Sequence, residues 1–392
     1  KTSGYISIDA VKKREYYPLS SAQKRLYIIE QLEGIGAGYN VPAAMILEGD
    51  INKESIKKLF IQLIERHETL RTSFAMVERE PVQIIHDRVD FDIKYTEAVE
   101  EDIQSMVKNF VRPFDLSNAP LIRVGLVKVG EGRHVLMLDM HHIITDGVSV
   151  SVLIKEIAML QQGIELEPLR IQYKDFSQWQ NSMMENGEIK EQEEYWLKVF
   201  EGEIPVLNMP YDYPRPSMQS FEGTSFSIQC SNELKTRLNE LAGQTDSTLY
   251  MVLLAAYNVL LSKYTGQGDI IVGSPVAGRQ NPELENVMGM FVNTLAMRNY
   301  PEGSKTFIEF LGEVRDNCLK AYENQDYQFE ELVERLNLKR DMSRNPLFDT
   351  EFALMHSDTH KIEIENLKIS PVEFENNISK FDLYLYCFEG ED

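Results

Sequence analysis

Two adjacent histidines, an aspartate and a glycine fall within seven residues, His141-His142-Ile143-Ile144-Thr145-Asp146-Gly147, a grouping better suited to chemistry than to packing. An imidazole titrates near neutral pH, so it can take a proton from a reacting group and return it. The apolar run Val135-Leu136-Met137-Leu138 leads into the motif and predicts a buried strand. Val152, Leu153, Ile157 and Leu160 follow at helical spacing until Gly163. The motif therefore occupies a strand-to-helix junction, where a side chain is held rigidly yet still reaches a cavity. Successive strand residues point to opposite faces, so one of the two histidines looks into any given site. The competing reading is two satisfied interior histidines and an Asp146 that caps the helix. For Asp146 alone the cap stands level with any other role; for the whole set a site is the stronger reading.

The elements that must hold this junction are legible around it. Pro18 precedes Ser20-Ser21, a helix cap, and Ala22, Leu26 and Ile29 carry an apolar face through to Gly34. A stronger helix places Ile56, Leu59, Phe60, Leu63, Ile64 and His67 at spacings of three and four, so His67 reads as packed rather than as a ligand or base. Gly130-Glu131-Gly132, between Leu121–Val129 and His134–Met140, signals a hairpin. A proline-rich loop from Pro205 to Pro216 is the expected hinge between two halves. Beyond it the pattern predicts a strand near Thr224–Ile228 and a core helix over Leu249–Tyr264, apolar on nearly every face. A short strand Ile270–Val272 and an obligatory loop Gly273–Arg279 follow, then an amphipathic helix over Phe307–Tyr322. Strands are expected at Phe348–Met355, Lys361–Ile369 and Phe381–Phe388. The halves are similar in length and content, which suggests two similar lobes.

Composition narrows the function classes. At 392 residues the chain can hold two domains, each with its own core. Its 62 acidic against 40 basic residues give a net charge of −22, spread along the chain, which disfavours nucleic acid because phosphate contacts need a basic surface. No apolar stretch reaches the roughly 20 residues needed to span a bilayer, so no membrane role is expected. Cys230, Cys318 and Cys387 lie far apart without metal-ligand spacing, and point to a reducing cytoplasm and no metal. The opening Lys1-Thr2-Ser3-Gly4 has neither initiator Met nor signal segment, and a strand pattern ends at Asp392. Both ends predict a piece of something longer, with a closing element missing.

With these motifs in hand, the chain resembles the condensation domain of nonribosomal peptide synthetases, which shares its fold and His motif with chloramphenicol acetyltransferase. The resemblance runs from Tyr17 to about Leu385 and rests on motifs in their expected order. Ser21-Ala22-Gln23-Lys24-Arg25-Leu26-Tyr27 opens the series, and Arg66-His67-Glu68-Thr69-Leu70-Arg71-Thr72-Ser73-Phe74 is similar to the second motif. The His-His-Asp-Gly core is the third and Tyr173-Lys174-Asp175-Phe176-Ser177-Gln178-Trp179 the fourth. Pro275-Val276-Ala277-Gly278-Arg279, Met290-Phe291-Val292-Asn293-Thr294-Leu295, Gln325-Asp326-Tyr327-Gln328-Phe329-Glu330 and Arg344-Asn345-Pro346-Leu347-Phe348-Asp349 complete it. The core motif alone is shared by many acyltransferases; the ordered series is specific.

The resemblance implies an α/β (α+β) fold of two chloramphenicol acetyltransferase-like lobes in a V around a central tunnel. The expected division is a linker over 1–17, an N-terminal lobe over 18–180 with the His motif, and a C-terminal lobe over 181–392. It also implies an acyltransferase that joins two aminoacyl or peptidyl thioesters. Upstream donor and downstream acceptor peptidyl carrier proteins present them on 4'-phosphopantetheine arms, beside an adenylation domain, with no cofactor bound by the chain itself. By resemblance His142 faces the reaction. An α-amine with a pKa of about 7.7–8.0 is partly neutral at pH 7, so no strong base is needed before attack; an imidazole near about 6.5 can take the proton afterwards. His141 is expected to pack and orient the loop. Asp146 is expected to pair with an arginine of the second lobe, Arg279. Gly147 either offers its N–H to the developing oxyanion or is a turn glycine. Arg66 either shapes the site or complements its helix dipole, Asn293 either lines the tunnel or satisfies backbone, and Tyr173 and Trp179 read as core aromatics.

Three other readings compete with this one. An epimerization domain carries Trp after the motif's serine, where this chain has Val150 after Ser149. A heterocyclization domain replaces the first His with Asp, and His141 stands here. A carrier-docking module without chemistry would not need the intact motif. The Ser21–Arg25 motif is similar to that of condensation domains taking an L-configured donor.

Overall fold

Apolar alternation and polar caps set the elements that carry the His motif. The structure, a computed structural model, describes residues 7–31, 36–339, 341–356, 367–372, 374 and 377–390. The chain begins with β1 (Tyr17–Pro18), α1 (Ser21–Glu30), β2 (Asn40–Glu48), α2 (Lys53–Arg66), β3 (Thr72–Val77) and β4 (Glu80–Ile85). It continues through β5 (Lys94–Glu97), α3 (Ile103–Phe110), β6 (Ile122–Gly130), β7 (Arg133–His141), α4 (Gly147–Gln161) and α5 (Tyr173–Glu185). Then come α6 (Lys190–Val199), α7 (Asn232–Gln244), α8 (Leu249–Thr265), β8 (Ile270–Val276), β9 (Asn293–Asn299) and α9 (Phe307–Glu323). The last are α10 (Phe329–Arg335), β10 (Thr350–His356), β11 (Lys368–Pro371) and β12 (Leu383–Glu389). Two units result: Lys1–Gly187, Arg279–Phe291 and Thr359–Glu375 form the first, and Glu188–Gly278, Val292–Asp358 and Asn376–Asp392 the second. The mixed α/β class expected from the sequence is the one observed, but neither unit is a continuous stretch of chain.

In unit 1 a five-stranded sheet runs β11-β2-β7-β6-β5 and a smaller one runs β1-β4-β3. β7 lies at the centre of the larger sheet and is buried from His134 to His141, which explains why it reads as an unbroken apolar run instead of an alternating one. The expected hairpin joins β6 to β7. β2 pairs along the whole of β7, with Asn40 opposite His141. α3 covers one face, packing Ile103, Val107 and Phe110 on Ala44, Val127, Val135 and Met137. Each such large side chain contributes about 1.5–3 kcal/mol by leaving water. α1 starts where the sequence predicts a helix cap, and the structure shows a full capping box there between Ser20 and Gln23; its expected end at Gly34 lies outside the described residues.

Unit 2 is built on the sheet β12-β10-β8-β9. α8 buries Met251, Val252, Leu254, Ala255, Tyr257 and Leu261. Leu260 and Tyr264 are exposed, so one face of this apolar helix reaches the surface. Gly273 on β8 admits the Phe348 ring, and a Cβ there would stand 2.3 Å from it.

Three expectations are corrected. The stretch taken as loop from Gly273 belongs to β8 as far as Val276; β10 meets β8 at Gly273, and Pro275 lies beyond that bridge, where a missing N–H is tolerated. Thr224–Ile228 has no ladder partner among the described residues, and Phe226 and Ile228 are exposed. The Pro205–Pro216 loop is not the hinge: it lies inside unit 2, where Arg215 and Tyr211 bond Asp382, and the chain leaves unit 1 earlier, after Gly187. Of the strand expected over 361–369, only the end at β11 falls among the described residues.

Asp349, just before β10, is 3% exposed and takes a 2.9 Å bond from Arg344. Burial pushes its carboxyl up to about 6, against Arg344's attraction and with Asp382 adding repulsion. A raised acid pKa favours the folded state only where the group binds a proton in it and not in the unfolded chain. The charged form thus costs stability above pH 6, by at most about 3 kcal/mol, and the cost fades as pH falls toward 4. Asp349→Asn is therefore expected to raise the melting temperature at pH 8 and to lose that advantage by pH 4, as thermal scans across pH would register.

Candidate active site

β7 ends at His141, and the chain makes one 3-10 turn, His142–Ile144, before α4 begins at Gly147. The turn is tightly specified. His142 N–H donates to Tyr39 O at 2.8 Å, and Thr145 N–H closes on His142 O at 3.2 Å. His142 Nδ1 lies 2.8 Å from Thr145 O. A carbonyl only accepts, so Nδ1 carries the hydrogen and the neutral ring keeps its lone pair on Nε2. His142 is half-buried, whereas its neighbour His141 is 1% exposed. The two rings thus differ in burial, and because the strand ends at His141 it is the 3-10 turn that separates them. His141 Nδ1 accepts from Ile143 N–H at 3.1 Å, Nε2 faces Glu30 at 3.4 Å, and Phe114 stands edge-on at 6.2 Å between centroids.

Asp146 turns out to do both jobs the sequence offered. Its Oδ1 accepts from Ser149 N–H at 2.7 Å, capping α4, and from Arg279 at 3.1 Å; Oδ2 accepts from Phe291 N–H at 3.1 Å. Arg279 is 5% exposed at its side chain and Asp146 0%. Its other terminal nitrogen donates to Leu284 O at 2.6 Å and Val287 O at 2.5 Å, and its guanidinium lies 3.9 Å from the Phe291 ring centre. The pair expected between lobes is internal to unit 1, because Arg279–Phe291 belongs to that unit. Ser149, which the sequence reading passed over, joins the same knot: its hydroxyl accepts from Arg279 at 2.8 Å and from Gly289 N–H at 3.0 Å, and lies 2.9 Å from Gly289 O. Its place three residues after an aspartate N-cap was the signal available. Gly289 must be glycine, since a Cβ would sit 1.8 Å from the Tyr173 ring. Tyr173 is the core aromatic expected, and Trp179 packs on its cluster.

Gly147 is exposed, lies outside the left-handed backbone region, and a Cβ there would meet nothing within 4 Å. No turn requires a glycine at this point. It is the first residue of α4, whose initial N–H groups have no intrahelical acceptor and carry the positive end of the helix dipole.

The remaining candidates are tied into the fold by hydrogen bonds. Arg66 Nε donates to Glu156 at 2.9 Å and its terminal nitrogen to Glu167 O at 2.5 Å, while His67 Nε2 meets the other Glu156 oxygen at 2.6 Å. Burial pushes the Glu156 carboxyl up, but His67 and Arg66 outweigh it and hold it below its ordinary value. Arg66 thus ties α2 to α4 instead of entering the His turn. Asn293, in unit 2, donates to Gln325 O and Tyr327 O, both at 2.9 Å, and accepts from Phe329 N–H at 3.0 Å. Of its two readings, the backbone-satisfying one is what these bonds describe. Asp139, two residues before His141, is buried and bonded to Arg123 at 2.8 Å and Asn40 at 2.9 Å; burial nevertheless raises its carboxyl.

The family model described as "Condensation domain" matches residues 13–392. The chain belongs to the condensation domain family. This condensation domain is 54% identical over 386 residues to tyrocidine synthase 3 of Brevibacillus parabrevis, covering 98% of the chain and spanning 6% of that much longer protein. The X-domain in its complex with OxyB from teicoplanin biosynthesis superimposes with a TM-score of 0.88 at 23% identity, covering 100% of this chain and 88% of that one. A four-domain nonribosomal peptide synthetase bound to AMP and glycine gives 0.87 at 23% identity, covering 99% and 31%. The condensation domain thus has the chloramphenicol acetyltransferase-like fold expected of it.

Removing one side of the buried pair leaves the other charge stranded. Arg279→Ala is expected to lower unfolding free energy by about 3–5 kcal/mol in urea titrations. Arg279→Lys should recover only part of it, because one ammonium cannot serve Asp146, Ser149 and two carbonyls together.

Proposed function

We propose that this condensation domain forms a peptide bond between a donor aminoacyl or peptidyl thioester and an acceptor aminoacyl thioester. Both ride on phosphopantetheine arms, of an upstream and a downstream carrier protein, within a cytoplasmic synthetase that also holds an adenylation domain. One observation carries the reading: the Thr145 carbonyl fixes Nδ1 of His142 as the protonated nitrogen and leaves the basic lone pair on Nε2. The acceptor's α-amine attacks the donor's carbonyl carbon, and the carbonyl electrons move to oxygen. His142 Nε2 takes the proton that the nitrogen must lose. The oxyanion collapses, the C–S bond breaks, and the departing thiolate takes the proton back. The products are an amide on the acceptor's thioester and a free thiol on the donor's arm.

Two features of α4 support the electrostatic half of this scheme. The helix begins at Gly147, whose lack of a side chain leaves the positive end of the helix dipole uncovered at that residue. General-base assistance is worth about 10²–10⁴-fold, whereas positioning two reactants is worth more, so holding the amine matters at least as much as the base. Val150 after the motif's serine favours condensation over the epimerization alternative.

Mass spectrometry of carrier-bound products, after mixing the chain with two loaded carriers, tests the reading: an amide on the acceptor supports it. Inversion of an α-carbon on one carrier would make the domain an epimerase, and no product at all would leave a docking module. His142→Ala is expected to slow amide formation by about 10²-fold or more without changing carrier loading; an unchanged rate removes His142 from the mechanism. Gly147→Leu is expected to shift the melting midpoint little, because the space beside it is open, yet to suppress turnover by crowding the helix terminus.

A further inference from the structure

Helix α1 touches the His motif at two points that no sequence pattern relates to it. Gln23 is fully buried, and its Nε2 donates to Ile143 O at 3.3 Å. Glu30 Oε2 lies 3.4 Å from His141 Nε2, with 11% of the glutamate side chain exposed. Seven residues separate them, which is 20° short of two helical turns, so both project from one face of α1. Between them sits Ile143, whose N–H is taken by His141 Nδ1 and whose C=O is taken by Gln23. Both polar groups of the residue after His142 are therefore fixed by groups that α1 controls.

We infer that α1 is the positioning element of the motif, with Glu30 selecting the tautomer of His141 and Gln23 holding the following carbonyl. The logic is chemical. Ile143 N–H needs a lone pair on His141 Nδ1, so the neutral ring must carry its hydrogen on Nε2, and Glu30 is the acceptor that rewards this arrangement. With the opposite tautomer two N–H groups would face each other and the turn bearing His142 would open. The same helix is anchored at its other end. Ser20 Oγ caps Gln23 N–H at 3.1 Å and meets Tyr173 Oη at 2.7 Å, and Tyr173 donates to Met290 O at 2.5 Å, between Gly289 and Phe291 of the Asp146 knot. Neither Gln23 nor Glu30 acts on substrate; each acts through the histidine turn. The effect on rate rests on the proposed acyl transfer, whereas the tautomer does not.

Histidine-labelled chain, observed by long-range ¹H–¹⁵N spectra with the His141 signal assigned by its loss in His141→Gln, tests this. In the unsubstituted chain His141 is expected to be protonated at Nε2 with Nδ1 accepting. Glu30→Ala should give mixed tautomers and lower the single-turnover rate of amide formation about tenfold, with carrier affinity unchanged. Glu30→Gln, whose amide oxygen accepts the same N–H, should restore both to within about threefold. His141 protonated at Nδ1 in the unsubstituted chain overturns the inference, and so does a Glu30→Ala chain with unaltered tautomer and rate. Should the unsubstituted chain make no amide, the proposed reaction fails, and the spectra still decide the role of Glu30 because they need no turnover.

Discussion

One carboxylate organises the site. Asp146 has two oxygens, and each is committed: one to the cap of α4 and to Arg279, the other to the backbone of Phe291. A buried ion pair seldom adds net stability over an apolar replacement, because desolvating both charges offsets most of their attraction. What it supplies here is geometry. The direction of α4, the end of the 3-10 turn and the path of residues 279–291 are all set against the same two oxygen atoms. Arg279 can play its part because its planar fork reaches Asp146 and Ser149 with one nitrogen and two carbonyls with the other, then stacks on Phe291.

Around this knot the site is assembled from polar groups that would be costly if left unpaired. Glu156 joins α2 to α4, Asp139 joins β7 to Arg123 and Asn40, and Gln23 joins α1 to the turn. A ring held this way has little conformational freedom left to lose when it forms a further bond.

How much of this was legible in the sequence follows from the range of each interaction. Local patterns read well: the buried strand before His141, the helix after Asp146, the hairpin at Gly130–Gly132 and the helix cap at Ser20 all depend on neighbours within a turn. The link between Asp146 and Arg279 came from family resemblance, and spacing alone would not have given it. Ser149, Gln23 and Glu30 were missed as contacts because their partners lie 111 to 140 residues away and nothing in their types marks them as polar anchors. Thr224–Ile228 misled for a related reason. Its alternation suits a strand, but a strand also needs a neighbour to pair with, and period says nothing about whether one is in reach.

The discontinuity of unit 1 has a consequence for how the molecule is made. Asp146 leaves the ribosome 133 residues ahead of Arg279, a wait of roughly 7–27 s at ordinary elongation speeds. The outer edge of β2 waits longer still, until Lys368–Pro371 arrives to complete the sheet. During that interval the nascent chain carries a solvated aspartate and an open strand edge, the kind of surface that chaperones recognise and that pairs wrongly with other chains. The spacing of residues 146 to 371 along the chain therefore sets how long these groups wait for the partners that bury them.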